Sequence, residues 1–455
     1  MSVNVTNIDD LILSTAGARY IGVGEDEEIQ LFYYFVESER NPSNDPLLFY
    51  ITGGPGTGTT GLYPFIYQIG PVIFNLESSW KNNITLELNP NSWSKAANVI
   101  IIDIRVGVGF SYAKRWEASR SSDSIVTLHS YEFLKKWLLE NPRFVSNPLY
   151  ISGTSYMGII VPNVALQIYN DNERGNQPQL NIKGCLIVSP LTDKFMDFNS
   201  RIEAAHRFAL ISDDIYKATK ETCHGNYIHN DPENTLCSKN LERVDECIDG
   251  INFSNILEPL CEKTNMKPYC REAANIFLEI WGNDKDVQKA LNVREKGIDP
   301  AYLGAPHLKN FYVQGIIEKW EYTNTSINYD LDKEDTIYYS YDIYSSIADH
   351  QQLLTKNCQV LIICGDHDLT FPCVGTEKWI TSLNLSIESQ WEPWFVRKQV
   401  AGYQMTYAQR PYSLKFATIK GAGHSVALYK PKEAFVMMDR WFASHTYSSG
   451  SYLQY

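Results

Sequence analysis

The sequence predicts an α/β fold: a mostly parallel central sheet, helices on both faces, and an inserted, largely helical cap. Three observations carry this. First, LLFYIT (47–52), NVIIIDI (98–104) and QVLIICG (359–365) are short apolar runs, each leading into a turn with Gly or Asp. Strands buried on both faces read this way, and LYISG (149–153) and GCLIVS (184–189) are weaker versions. Second, helix-like stretches such as SYEFLKKWLLENP (130–142) stand between them. That alternation implies crossover helices over a parallel sheet. Third, the pattern breaks from about Thr192 to Ile343, where apolar runs shorten and cysteines cluster. The expected organisation is a core over 1–192, a cap over 193–343 and a second part of the core over 344–455.

Bulk properties exclude several classes. The 455 residues carry 40 Lys and Arg against 53 Asp and Glu, a net charge of -13. That balance, without a basic stripe, argues against a nucleic-acid partner. No apolar run reaches the roughly 18 residues of a membrane span. The N-terminal stretch lacks a basic head and an apolar core, so it does not read as a secretory signal. Either the protein stays in the cytosol, or a signal is absent from this version of the sequence.

Five of the nine cysteines fall between Cys223 and Cys270. Such clustering suggests local disulfides in the cap, and without a tight Cys-x-x-Cys pair zinc is the weaker alternative. Because five is odd, at least one is free or pairs elsewhere. Cys185, Cys358, Cys364 and Cys373 lie in or beside apolar strands and are expected to be buried thiols. Sequons at Asn4, Asn83, Asn252, Asn324 and Asn384 are about as many as chance gives.

In open α/β sheets, sites form at the carboxyl ends of strands. Four polar groups stand there. Thr52-Gly53-Gly54-Pro55-Gly56 can turn sharply and expose N–H groups. Ser155, in SGTSYMG, follows one strand and precedes a helix-like run. Asp366 and Asp368 lie in GDHD, and His424 in GAGH. Each alone has a bland reading as turn, cap or loop. Together they give the order Ser, Asp, His, each just after a strand, which is the order of α/β-hydrolases. A serine hydroxyl needs a base to act as a nucleophile near neutral pH. Histidine supplies it, and a carboxylate fixes its tautomer.

Over nearly its whole length the chain resembles plant serine carboxypeptidase-like proteins. The matching stretches include YIGVGEDEEIQLFYYFVESERNP (20–42), TGGPG (52–56), VGVGFSYA (106–113), SGTSYMG (152–158), GDHDLTFP (365–372) and KGAGHSVALYKPKEAFVMMDRWF (420–442). The resemblance implies Ser155 as nucleophile, His424 as base and Asp368 as its orienting acid. Gly54 and Tyr156 would supply the oxyanion-hole N–H groups, and Asp366 would be structural. It also favours a Cys223–Cys237 disulfide. Cys247, Cys261 and Cys270 are left unassigned.

The family holds two chemistries. Some members are acid carboxypeptidases; others are acyltransferases that take an acyl group from a 1-O-β-glucose ester to an alcohol or amine. The peptidases carry Asn where this chain has Thr52, beside Gly53. They carry Glu where it has Thr154 and Gln68. Those two acids pair at low pH, and no such titrating pair remains here. Family members also bridge two cysteines at positions matching Thr57 and Tyr322. Residues 57–60 resemble a small insertion, and Arg105 replaces a usual Pro.

The expected function is therefore acyl transfer from a glucose ester to a small-molecule acceptor in plant specialised metabolism, through an acyl-enzyme on Ser155. Thr52, Gly53, Gln68 and Thr154 are the expected substrate-binding residues. No metal or organic cofactor is implied. The alternatives are a serine carboxypeptidase and a non-catalytic companion subunit of an active paralogue. The expected location is the secretory pathway, towards the vacuole.

Overall fold

The computed structural model describes residues 2–3, 16–54, 61–81, 84–106, 108–114, 118, 120–229, 231, 233–260, 274–293 and 339–446. Thr57, the 57–60 change, Tyr322, Cys261 and Cys270 lie outside them.

The principal strands are β1 (Ala16–Val23), β2 (Ile29–Val36), β3 (Leu47–Ile51), β4 (Asn98–Ile102), β5 (Leu149–Thr154), β6 (Ile182–Val188), β7 (Gln359–Gly365), β8 (Ser386–Val396), β9 (Gln399–Gln409) and β10 (Tyr412–Ile419). They form one 11-stranded sheet in the order β8-β9-β10-β7-β6-β5-β3-β4-β2-β1, with Tyr112–Ala113 as a short extra strand beside β2. From β10 to β4 every neighbouring pair is parallel. Both margins are antiparallel.

The apolar runs are continuous because both faces of these strands are covered. Leu47, Phe49 and Ile51 enter one buried cluster, and Leu48 and Tyr50 enter the other. The first cluster is completed by α2 (Asp123–Glu140) and α3 (Met157–Glu173), through residues such as Phe133, Trp137 and Ile160. The second is completed by α1 (Leu62–Tyr67) and α10 (Pro431–Thr446), through Phe65, Met438 and Trp441. The chain is an α/β-hydrolase fold.

Helix α2 begins at Asp123, earlier than its apolar pattern suggests. The Ser122 side chain accepts the Ile125 N–H at 3.2 Å and caps the helix there. Beyond β6 come α4 (Lys194–Arg207), α5 (Asp213–Cys223), α6 (Thr235–Ile248) and α7 (Ala274–Gly282). Helices α4 to α6 build a third cluster that includes Ile202, Val244 and Ile248, with Leu369 and Val374 from the core. Cys223 and Cys237 are bonded, tying the end of α5 to α6.

Two other cysteines correct the sequence-based expectation. Cys364 and Cys373 form a disulfide instead of remaining thiols. One closes β7 and the other opens α9 (Cys373–Ser382), so the bond clasps the loop between them. Apolar surroundings suggested inert thiols, but the tight turn after β7 returns Cys373 to within 5.8 Å of Cys364, Cα to Cα. Cys185 and Cys358 are free and buried, and Cys247 is free and exposed.

Helix α3 contains Pro162. Proline has no N–H, so the Gly158 carbonyl one turn earlier loses its helical donor. The buried Ser346 hydroxyl, just before α8 (Ile347–Leu353), donates to that carbonyl at 2.8 Å. Ser346→Ala is expected to destabilise the fold by about 1–3 kcal/mol, because the carbonyl would be left buried and unpaired. Denaturant unfolding of the variant against the parent measures this.

Candidate active site

The site is assembled by turns at the carboxyl ends of adjacent parallel strands. Ser155 follows β5 directly and has φ 64°, a left-handed conformation that costs a non-glycine residue about 1–2 kcal/mol. Strain at such a position is a pointer to function. Neighbouring residues hold the turn in place. The Ser155 N–H donates to Val188 O at 2.9 Å, and the Leu191 N–H donates to Ser155 O at 2.9 Å. A Cβ at Gly153 would stand 2.5 Å from Met157 Cβ, and one at Gly158 would stand 2.4 Å from Leu191 O. These glycines let β5, α3 and the loop after β6 meet.

Gly53 and Gly54 follow β3, next in the sheet. A Cβ at Gly53 would lie 2.4 Å from Thr154 O and 3.0 Å from Ser155 Cβ, so this turn lies against the serine. Gly54 has φ 74°, which glycine adopts without strain. Tyr156 caps α3, and its N–H is among the amides a helix start leaves without an internal partner. Thr52 is buried beside them.

Asp368 lies in the loop after β7, and His424 in the turn after β10. His424 Nδ1 is 2.8 Å from Asp368 Oδ2. The other carboxylate oxygen accepts the N–H groups of Thr370 at 2.7 Å and Phe371 at 3.1 Å. Both residues are buried. The Phe371 ring meets the imidazole edge-on, with centroids 5.5 Å apart. Asp366 turns elsewhere: its carboxylate accepts the Gly421 N–H at 2.7 Å and contacts His367, and so braces the turn before His424. A carboxylate bonded to Nδ1 leaves Nε2 available as a base.

Gln68 and Thr154, distant in sequence, line one small cavity with Tyr50, Trp93, Ser425 and Val426. Thr154 Oγ1 and the Tyr50 hydroxyl are 2.6 Å apart. Burial pushes the Tyr50 hydroxyl up to about 12, so it stays neutral.

Three contributors escape sequence reasoning. Residues 252–256, inside the expected cap, bond to both loops that carry the acid and the imidazole. The His424 N–H donates to Ser254 O at 2.6 Å, and the Leu369 and Thr370 N–H groups donate to Phe253 O at 2.9 and 3.1 Å. Asp103, just past β4, accepts the N–H groups of Gly61 at 2.5 Å and Phe110 at 3.0 Å. Asp123 accepts the hydroxyls of Tyr156 at 2.9 Å and Tyr339 at 2.8 Å and the Ile343 N–H at 2.9 Å. The serine-rich run before α2 signals only a helix cap there. Arg105 is buried, its guanidinium carbon 5.3 Å from the Tyr339 ring centroid.

Among the described residues, no cluster of His, Cys, Asp and Glu suits a metal ion, and no helix is long and apolar enough to cross a membrane.

Comparisons with known proteins identify the family of the chain. The profile of the serine carboxypeptidase family matches residues 13–444. Serine carboxypeptidase-like 17 of Arabidopsis thaliana is 40% identical over 425 residues, which are 93% of this chain and 88% of the relative. Serine carboxypeptidase-like 16 of the same plant is also 40% identical, over 93% of this chain and 89% of the relative. Among solved structures, the Kex1 prohormone-processing carboxypeptidase of Saccharomyces cerevisiae superposes with a TM-score of 0.67 at 17% identity, covering 94% of this chain and 91% of that one. The chain belongs to the serine carboxypeptidase family.

Proposed function

We propose that this serine carboxypeptidase-fold protein is an acyltransferase that moves an acyl group from a 1-O-β-glucose ester to a small alcohol or amine. Ser155 Oγ attacks the ester carbonyl while His424 takes its proton. The amides of Gly54 and Tyr156 stabilise the tetrahedral oxyanion, each contributing ~3 kcal/mol. His424 returns the proton to the departing glucose oxygen, leaving the acyl group on Ser155. It then takes a proton from the acceptor, which attacks the acyl-enzyme carbonyl, and passes that proton to the departing Ser155 Oγ, restoring the free serine and the neutral imidazole. Asp368 holds the imidazole throughout.

The observation that carries this reading is the lining of the small cavity at Thr154, the residue before Ser155. Gln68 and Thr154 meet there with Tyr50, and no carboxyl group is among the described lining residues. A peptidase that grips a terminal carboxylate with paired acids needs such groups; a sugar ester needs neutral hydroxyl and amide partners. The Cys223–Cys237 and Cys364–Cys373 disulfides suit the secretory route and vacuole, the location we propose with it.

The test presents the purified protein with 1-O-acyl glucoses and alcohol acceptors at pH 5–7, and with blocked dipeptides at pH 4–6. Ester transfer that exceeds dipeptide cleavage is expected. Efficient dipeptide cleavage without transfer would establish the carboxypeptidase instead. Inertness to both, with Ser155 unlabelled by a fluorophosphonate, would establish the companion subunit.

A further inference from the structure

Lys194 opens helix α4 beside the residue that follows the nucleophile. Its Nζ stands 5.7 Å from the Tyr156 ring centroid, 5.3 Å from that of Tyr341 and 5.8 Å from that of Tyr344. Three tyrosine faces thus surround one ammonium. The rings pack on one another: Tyr156 and Tyr341 are edge-on at 5.5 Å, as are Tyr341 and Tyr339 at 5.0 Å. Tyr344 is 49% exposed, so the group opens to solvent on that side.

Among the described residues this cation has no ion-pair partner. The chain has a net charge of -13, so acids abound. Yet among the described residues no carboxylate forms an ion pair with Lys194; Asp123 and Asp342 act on it only from farther away. Asp123 is already engaged by two tyrosine hydroxyls and a backbone N–H. Asp193, next in sequence, accepts the Met196 N–H as the cap of α4. Asp197 is spent on the N–H groups of Thr192 and Asp193. A lysine in the first turn of a helix also opposes the helix dipole, which favours anions there. It is half-buried, and desolvation draws its pKa down. Ring faces alone offset part of this cost.

We propose that Lys194 and its tyrosine walls form a carboxylate-binding subsite of the active site, so that the substrates include one bearing a free carboxylate. The ammonium donates to the carboxylate oxygens, and the rings pack on the carbon frame between that carboxylate and the reacting group. The inference deepens the transfer reading and rests on it only for which substrate is anionic: an acyl group with a second carboxyl, or an acceptor that is a hydroxy or amino acid.

The first experiment needs no glucose ester. Hydrolysis of p-nitrophenyl acetate by the full chain is inhibited with benzoate and succinate, and with benzamide and succinamide. The parent protein is expected to bind each carboxylate more tightly than its amide. In Lys194→Gln that preference should fall by about 10- to 100-fold, the value of a lost hydrogen bond to a charged group. Lys194→Arg should retain most of it, and circular dichroism checks that both variants fold. A parent without the preference, or a Lys194→Gln variant that keeps it, overturns the proposal. The second experiment compares transfer from acyl glucoses with and without a distal carboxyl, and to acceptors with a free carboxylate and their methyl esters. A Lys194→Gln loss in KM confined to the carboxylate-bearing donors or acceptors identifies the source. If no glucose ester reacts while the inhibition result holds, the transfer reading fails and the subsite stands. If transfer proceeds with equal KM changes for charged and uncharged substrates, the subsite fails and the transfer reading stands.

Discussion

Ser155→Ala is expected to lower acyl transfer by at least ~10³-fold while leaving the fold intact. The side chain is short, and the strained turn around it is held by backbone bonds to Val188 and Leu191, which the substitution leaves in place. His424→Ala should be similarly severe, and the double variant little worse than either single one, because the two act as a unit. Asp368→Asn should cost ~10³–10⁴-fold in kcat, since an amide at the 2.8 Å contact would favour the wrong imidazole tautomer. Asp366→Asn should act on stability rather than rate, because its carboxylate braces Gly421 and does not touch His424. Steady-state kinetics with thermal melts of all five variants give the check. Full activity in Ser155→Ala would end the assignment.

Ser155, Asp368 and His424 were legible because their signals are local. Each follows an apolar run whose composition marks a strand, and parallel strands bring their carboxyl ends to one edge. The placement of Gln68 beside Thr154 followed from resemblance alone, since 86 positions separate them along the chain. Asp123 was not legible. Its partners Tyr339 and Ile343 lie 216 and 220 positions away, and nothing in a Ser-Ser-Asp-Ser run announces them. The Cys364–Cys373 bond escaped for a related reason: hydrophobic neighbours mark burial, whereas pairing depends on how sharply the intervening loop turns back.

The second expectation concerns pH. Burial raises the Asp103 carboxyl from 3.8 to about 7, against the opposing N–H groups of Phe110 and Gly61. Burial does the same to Asp197, which also rises to about 7 against the N–H groups of Asp193 and Thr192. An acid whose pKa is higher folded than unfolded binds its proton more tightly in the native chain. The stability it contributes is whole below the unfolded value of 3.8 and is lost as pH rises towards about 7. The melting temperature should therefore fall by several degrees between pH 5 and pH 7.5. Asp103→Asn and Asp197→Asn should each flatten the slope. Exposed acids with lowered pKa, such as Glu27 and Asp213, are screened and titrate below this range. Buried His350, which desolvation lowers from 6.5 to about 3, opposes the trend up to about pH 6.5, and the two carboxyls together outweigh this one imidazole. Melts of the three proteins across that range, at constant ionic strength, decide the matter. A melting temperature that climbs with pH, or parallel slopes in all three, would refute it.

The backbone bonds made by residues 252–256 bear on how such proteins can be recombined. It is tempting to treat everything between β6 and β7 as an exchangeable module and to graft it whole from a relative with a different substrate. Here that graft would replace the segment whose backbone carbonyls receive the amides of Leu369, Thr370 and His424. A donor segment differing by one residue in length would shift those carbonyls and reset the acid and the imidazole together. The natural seams for exchange therefore enclose two separate pieces, one ending before residue 252 and one starting after residue 256 and ending before Tyr339, whose hydroxyl is tied to Asp123. The short stretch between them travels with the recipient's core.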